Sequence, residues 1–291
     1  MEARSLGSAG LVSSAVGLGT TAFTGVYGEA SRSDCDRVIR LALDMGITMF
    51  DAADGSTHDE SETLLGQLLV NRRGDALIAA YGGIRAADGG KSARIDGDPA
   101  QLVADCDASL RRLGTDYIDL FYLSGVDPQV PVEDSIGKLA ELVTEGKIRY
   151  LGLREALPDQ LRRAHATHPI SALAVEYSFL RRPAVRGSLA AAASLGVGVV
   201  SCCPLARGLL SGSAPTAMSA DEQTALRILE NEAAELDVGM ARLALAWLLA
   251  QRDDLVPVPS TRRPVHLEMN ATTPTIRLGR GTRARLAQPF A

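Results

Sequence analysis

Tyr117-Ile118-Asp119-Leu120-Phe121-Tyr122-Leu123-Ser124 leads through a short link into Val132 to Glu145, and then into Gly146-Lys147-Ile148-Arg149-Tyr150-Leu151-Gly152-Leu153. An apolar run of strand length, an amphipathic segment of helix length and a second apolar run make one parallel β-α-β unit. Working outward, the same alternation fills the chain. Strands are expected near residues 12–20, 47–51, 76–81, 118–123, 148–153, 171–176, 197–202 and 255–259. Helices fall between them, among them Asp34 to Met45, Pro99 to Leu113 and Met240 to Gln251. In the last, Leu243, Leu245, Ala246, Trp247 and Leu249 supply the apolar face.

Eight consecutive units without a Gly-rich dinucleotide fingerprint favour a closed (β/α)8 TIM barrel of the α/β class over an open doubly wound sheet. Such a barrel needs about 250 residues, so the 291 residues read as a single barrel domain, 1–291. In this architecture chemistry gathers at the C-terminal ends of the strands.

Apolar residues make up 46% of the chain and charged ones 22%, the balance of a soluble globular enzyme. A net charge of −5 gives no electrostatic footprint for nucleic acid or an anionic membrane, so a small molecule is the expected partner. Cys35, Cys106, Cys202 and Cys203 lack metal-ligand spacing and are too few for a disulfide scaffold. No metal site is expected. The N-terminus has no signal-type apolar stretch, and no run of about 18 apolar residues occurs. A cytoplasmic location is the expectation.

Several segments in order resemble the aldo-keto reductase family. They are Gly146-Lys147-Ile148-Arg149-Tyr150-Leu151-Gly152-Leu153, Glu176-Tyr177-Ser178, Pro204-Leu205-Ala206-Arg207-Gly208-Leu209-Leu210-Ser211-Gly212, and Pro257-Val258-Pro259-Ser260-Thr261-Arg262-Arg263-Pro264. The resemblance runs from Leu6 to Leu267. It implies NADPH-dependent carbonyl reduction, with a proton delivered by a tyrosine whose pKa a lysine lowers, an aspartate holding the lysine and a histidine positioning the carbonyl. Here Asp51 stands in the aspartate position, but Ser56 replaces the tyrosine, Tyr81 the lysine and Ser124 the histidine. Only Lys91, Lys138 and Lys147 exist, none in the third strand.

The positions that hold the nicotinamide in the family correspond to Arg154, Val175 or Glu176, Ala174 and Cys202, so that half reads as dismantled. Thr261, Arg262, Arg263 and Asn270 match the adenosine-phosphate end, although Met269 replaces a Glu. A solvated helix start is the bland reading of the basic pair. Between Gly212 and Ser219 the loop is shorter than in relatives, and the tail after Asn270 is brief. Both features predict an open pocket mouth.

Asp51, Tyr81, Ser56, Ser124, Arg154 and His58 are therefore the candidate catalytic residues, with Tyr27 on the same cavity wall. Burial could raise the pKa of Asp51 into the range for acid-base work, while pairing with Arg154 would keep it ionised. His58 titrates near neutral pH when unperturbed, though a lone loop histidine is more often solvated. Tyr122 is expected outside the barrel, and His165, His168 and His266 on surfaces. Only one of Cys202 and Cys203 can face the pocket from a regular strand, and adjacent strand cysteines are commonly inert.

The leading expectation is a barrel that has lost hydride transfer and performs redox-neutral acid-base chemistry of isomerase, dehydratase, lyase or cyclase type on a small oxygenated metabolite, for instance in secondary metabolism. No cofactor is favoured on that reading. The alternatives are an NADPH-dependent carbonyl oxidoreductase with Tyr81 as an atypical proton donor, and a non-catalytic sensing or interaction barrel.

Overall fold

The structure, a computed structural model, describes residues 1–52, 58–86, 93–182, 185–212 and 218–290. It opens with an antiparallel hairpin, β1 (Ala3–Leu6) and β2 (Leu11–Ser14). Gly7, with φ +73°, turns this hairpin where a Cβ would lie 2.6 Å from the Gly196 carbonyl oxygen, so only glycine fits. Leu6 and Leu11 are buried and plug the bottom of the barrel.

The barrel strands are β3 (Leu18–Gly19), β4 (Met49–Asp51), β5 (Leu77–Gly82), β8 (Ile118–Leu123), β9 (Ile148–Arg154), β10 (Ile170–Glu176), β11 (Gly198–Cys202) and β12 (Leu255–Pro257), each parallel to the next in that order. Closure comes from the Gly17 amide donating to the Pro257 carbonyl at 2.9 Å and the Gly19 amide to Pro259 at 3.1 Å. A small antiparallel pair, β6 (Ile84–Ala86) and β7 (Ala93–Ile95), follows β5. The region read as one strand over 12–20 thus divides between the plug and the barrel.

The α-helices among the described residues are α1 (Arg32–Asp44), α2 (His58–Leu69), α3 (Pro99–Leu113), α4 (Val132–Thr144), α5 (Pro158–Thr167), α6 (Arg186–Leu195), α7 (Ala220–Glu235), α8 (Met240–Leu249), α9 (Pro264–Ala271) and α10 (Arg280–Ala287). Local chemistry sets their ends. For α3 the Asp98 carboxylate accepts from the Gln101 amide, Pro99 takes the first turn and Gly114 closes the helix at φ +62°.

Strand alternation sorts side chains into two layers. Met49, Leu77, Ala79, Tyr81, Leu120, Tyr122, Ala172, Ala174, Val200 and Val256 fill the interior. Phe50, Ile78, Phe121, Leu123, Leu173 and Val199 pack outward against the helices. Each large apolar side chain so buried contributes about 1.5–3 kcal/mol. Tyr122 therefore lies inside the barrel and not outside it. It shares the face of Leu120 two residues before it, and Gly152 makes room for its ring, since a Cβ there would come 2.4 Å from Tyr122 Cδ1. The hydroxyl of Tyr122 is buried with no hydrogen-bond partner. Burial pushes its pKa well above the usual phenol value, helped by the charges of Asp51 and Cys202.

Candidate functional site

Asp51 closes β4 and Tyr81 lies one residue before the end of β5; the period of two turns both inward, above Met49 and Ala79. Both are almost fully buried, at 7% and 4% exposure, and the Tyr81 hydroxyl donates to Asp51 Oδ1 at 2.8 Å. The Tyr81 ring stacks on Tyr122, with centroids 4.9 Å apart and planes inclined by 18°. The phenol is thus fixed on two sides, by a carboxylate and by an aromatic face.

The pair lies on the wall of a cavity of about 420 Å³ at the C-terminal rim of the barrel. Arg154, the last residue of β9, lines the same cavity, as do Tyr27, Cys202, Cys203 and Arg207. Thr261, Arg262, Arg263 and His266 line its other end, around the start of α9. His266 therefore borders the cavity, although it is exposed as a surface residue would be.

The rim is held by charge. Arg207 Nη2 donates to Glu176 Oε2 at 2.8 Å, and the Glu176 amide donates to Glu155 Oε1 at 2.6 Å. The hydrogen bond to Glu176 raises the Arg207 pKa further, with smaller help from the charges of Glu176 and Cys203. Arg262 Nη1 donates to the carbonyls of Tyr27 at 2.6 Å and Gly28 at 3.1 Å, tying the loop after β3 to the head of α9. This clamp carries no sequence signal, because backbone carbonyls are its acceptors. Tyr27 is exposed at the cavity mouth, yet desolvation first, then the charge of Cys203, pushes its phenol up.

Several expected residues stand elsewhere. Ser124 lies one residue beyond β8, its amide donating to the Gly82 carbonyl at 2.9 Å. Its side chain is buried with no hydrogen-bond partner and is not part of the cavity lining. Asn270 is buried on α9 and also absent from that lining. Ser56 and the side chain of His58 fall outside the described residues, as does most of the shortened loop, 213–217. Both Cys202 and Cys203 line the cavity. Alternation would put only one on that face, but Cys203 leaves the strand with φ +46°, and this left-handed turn breaks the alternation where both residues meet the cavity. Among the described residues no group of three or more His, Cys, Asp or Glu side chains could hold a metal, and no helix is long and apolar enough to cross a membrane.

Eight parallel strands, a plugged bottom and a polar cleft at the C-terminal rim define a (β/α)8 barrel of enzymatic type. The family model described as "Aldo/keto reductase family" matches residues 15–279, and the chain belongs to that family. It is 35% identical to "Probable aldo-keto reductase 1" of Glycine max, the match covering 94% of this chain and 84% of that protein. Among solved structures it resembles the holo form of aldo-keto reductase AKR11C1 from Bacillus halodurans, with a TM-score of 0.87 and 27% identity over 99% of this chain and 96% of that one. The glycerol dehydrogenase AKR11B4 from Gluconobacter oxydans shares the fold, with a TM-score of 0.86 at 23% identity, covering 98% and 94%.

These relationships overturn the expectation of redox-neutral chemistry. The chain is an enzyme of an oxidoreductase family, and its relatives carry reductase names. Loss of hydride transfer has no support, nor has isomerase or lyase chemistry or a place in secondary metabolism. The preference for no cofactor, which rested on that reading, loses its basis.

Proposed function

We propose that the protein is an NADPH-dependent oxidoreductase that interconverts a carbonyl and an alcohol on a small molecule, with Tyr81 handling the proton. The observation that carries this reading is the 2.8 Å bond between Tyr81 and Asp51 on the wall of a cavity whose far end holds Thr261, Arg262 and Arg263. The donor set at that end suits a phosphate: two guanidinium groups beside the N-terminus of α9. Arg262 meets its carbonyl acceptors through Nη1, so Nη2 and Nε keep their donors for such a group. At the near end, Arg154 offers a fork of donors to an amide or carbonyl oxygen, standing in for the polar side chains that relatives place there.

When bound, the cofactor supplies the hydride to the carbonyl carbon or accepts it back. An ionised carboxylate can only accept, so the bond to Asp51 makes Tyr81 the donor and leaves the phenol oxygen to accept from a hydroxyl in the cavity. Oxidation of an alcohol then moves the substrate proton to Tyr81 Oη as Tyr81 passes its own to Asp51. Reduction runs the relay backward, from a protonated Asp51 through Tyr81 to the carbonyl oxygen. The nearby Arg154 stabilises negative charge that develops on that oxygen.

The test is turnover of NADPH with a panel of aldehydes and ketones, and of NADP⁺ with the matching alcohols, by the wild type and by Arg154→Ala. Turnover that falls in the variant supports the assignment. Absence of turnover in both directions across the panel, with intact folded protein, contradicts it.

A further inference from the structure

The two adjacent cysteines in the cleft have no part in that mechanism, and they differ from the other two in the chain. Cys35 and Cys106 are buried, and burial raises both thiols, Cys106 to about 12. Cys202 and Cys203 are partly exposed and line the cavity together. Their backbone is pinned. The Tyr177 amide donates to the Cys202 carbonyl at 3.3 Å and the Ala206 amide to the Cys203 carbonyl at 2.9 Å. Cys203, Ala206 and Arg207 all have φ between 46° and 56°, so the turn that brings both cysteines to the cavity lining is built into the loop. Arg207, on the same cavity wall, is close enough to Cys203 for the two to interact electrostatically.

We propose that Cys202 and Cys203 are an oxidisable vicinal thiol pair, which a hydroperoxide converts to a disulfide within the catalytic cleft. In the first step the Cys203 thiolate attacks hydrogen peroxide. An S–O bond forms, the O–O bond breaks, sulfur is oxidised by two electrons, and hydroxide leaves to become water with the thiol's proton. In the second step the Cys202 sulfur attacks the Cys203 sulfenic acid. The S–S bond forms and the S–O bond breaks, the hydroxyl departing as water with the Cys202 proton. Overall two thiols and one peroxide give one disulfide and two waters.

Consecutive Cα atoms lie about 3.8 Å apart, below the roughly 4.4–6.8 Å of ordinary disulfides. The ring is therefore strained and easily reduced, the behaviour of a reversible modification and not of a structural bridge. Because both cysteines line the cavity shared with Tyr81 and Arg154, closing the ring reshapes that wall. The proposal needs no cofactor, so it stands or falls apart from the reductase reading.

The experiment is peptide mapping by mass spectrometry of the full chain after brief exposure to hydrogen peroxide, alkylation under native conditions and trypsin. Cleavage after Arg186 and Arg207 yields one peptide, 187–207, with both thiols and no other cysteine. The expected result is a 187–207 peptide lighter by two hydrogens and free of alkyl groups, which regains two alkylatable thiols after dithiothreitol. In Cys202→Ser the second step is blocked, and dimedone captures the sulfenic acid on Cys203. A wild-type peptide that keeps both thiols through peroxide treatment overturns the proposal, whatever the folding of the variant. So does peroxide oxidation that goes straight to sulfinic acid with no disulfide formed.

Discussion

Replacing Tyr81 with Phe removes one oxygen and leaves the ring stacked on Tyr122, so the bond to Asp51 and the proton it carries are lost while the ring packing is kept. A positioned proton donor contributes about 10²–10⁴-fold to rate, and kcat is expected to fall by that factor. The bond has a charged acceptor and both partners are buried, so its removal costs about 1.5–3 kcal/mol of stability. Affinity for NADPH is expected to change little, because the residues proposed for its phosphate are Thr261, Arg262 and Arg263, on a different part of the cavity lining from Tyr81. Steady-state NADPH oxidation with an aldehyde substrate gives the first number, and urea unfolding of the same preparation gives the second. If Tyr81 and Asp51 form one relay, the double variant Tyr81→Phe/Asp51→Asn is no slower than the slower single variant. A folded Tyr81→Phe protein with kcat within about twofold of wild type would refute the reasoning.

Other consequences are spread over the barrel. Tyr122→Phe deletes a buried hydroxyl that has no hydrogen-bond partner, so chemical denaturation should show unchanged or increased stability, by up to about 1 kcal/mol, with the Tyr81 stack kept. Asp119 is buried near the lower end of β8, where it accepts from Arg73 at 2.6 Å, Arg149 at 3.0 Å and the Ile78 amide at 3.0 Å. Asp119→Ala strands those donors and is expected to cost about 3 kcal/mol, read from the urea midpoint. Burial raises the Cys106 thiol from its ordinary range near 9 to about 12. A thiol raised in the folded state contributes stability that is complete below pH 9 and is lost as pH climbs toward 12. Between pH 8 and pH 10.5 the wild type should lose about 2 kcal/mol more stability than Cys106→Ala does.

The fold was legible because a parallel barrel writes its strands as short apolar runs and its helices as amphipathic ones, and because caps are local. Asp98, Pro99 and Gly114 mark both ends of α3 in the sequence itself. Pairing partners are not local. An apolar run over 12–20 does not say that Leu11–Ser14 pairs back on Ala3–Leu6 while Leu18–Gly19 enters the barrel. Of the site, Asp51, Tyr81, Arg154, Thr261, Arg262 and Arg263 fall on one cavity as the strand ends imply. Ser124 and Asn270 do not, because one lies past its strand and the other on the buried side of α9. Tyr122 could have been placed from the period of two shared with Leu120. The turn that brings Cys202 and Cys203 together has no such signal, since left-handed backbone at a cysteine is set by the loop around it. The missing tyrosine, lysine and histidine argued for lost hydride transfer because side-chain identity at a few positions was all the sequence offered there; the family match and the reductase names of the relatives overturn that reading.

The central claim is that this cleft still uses a nicotinamide cofactor, and titration of the purified protein with NADPH, followed by nicotinamide fluorescence and calorimetric heat, tests it most directly. Saturable binding in the micromolar range, weakened when Arg262 and Arg263 are replaced by alanine, is the predicted result. No binding at millimolar NADPH would contradict the account.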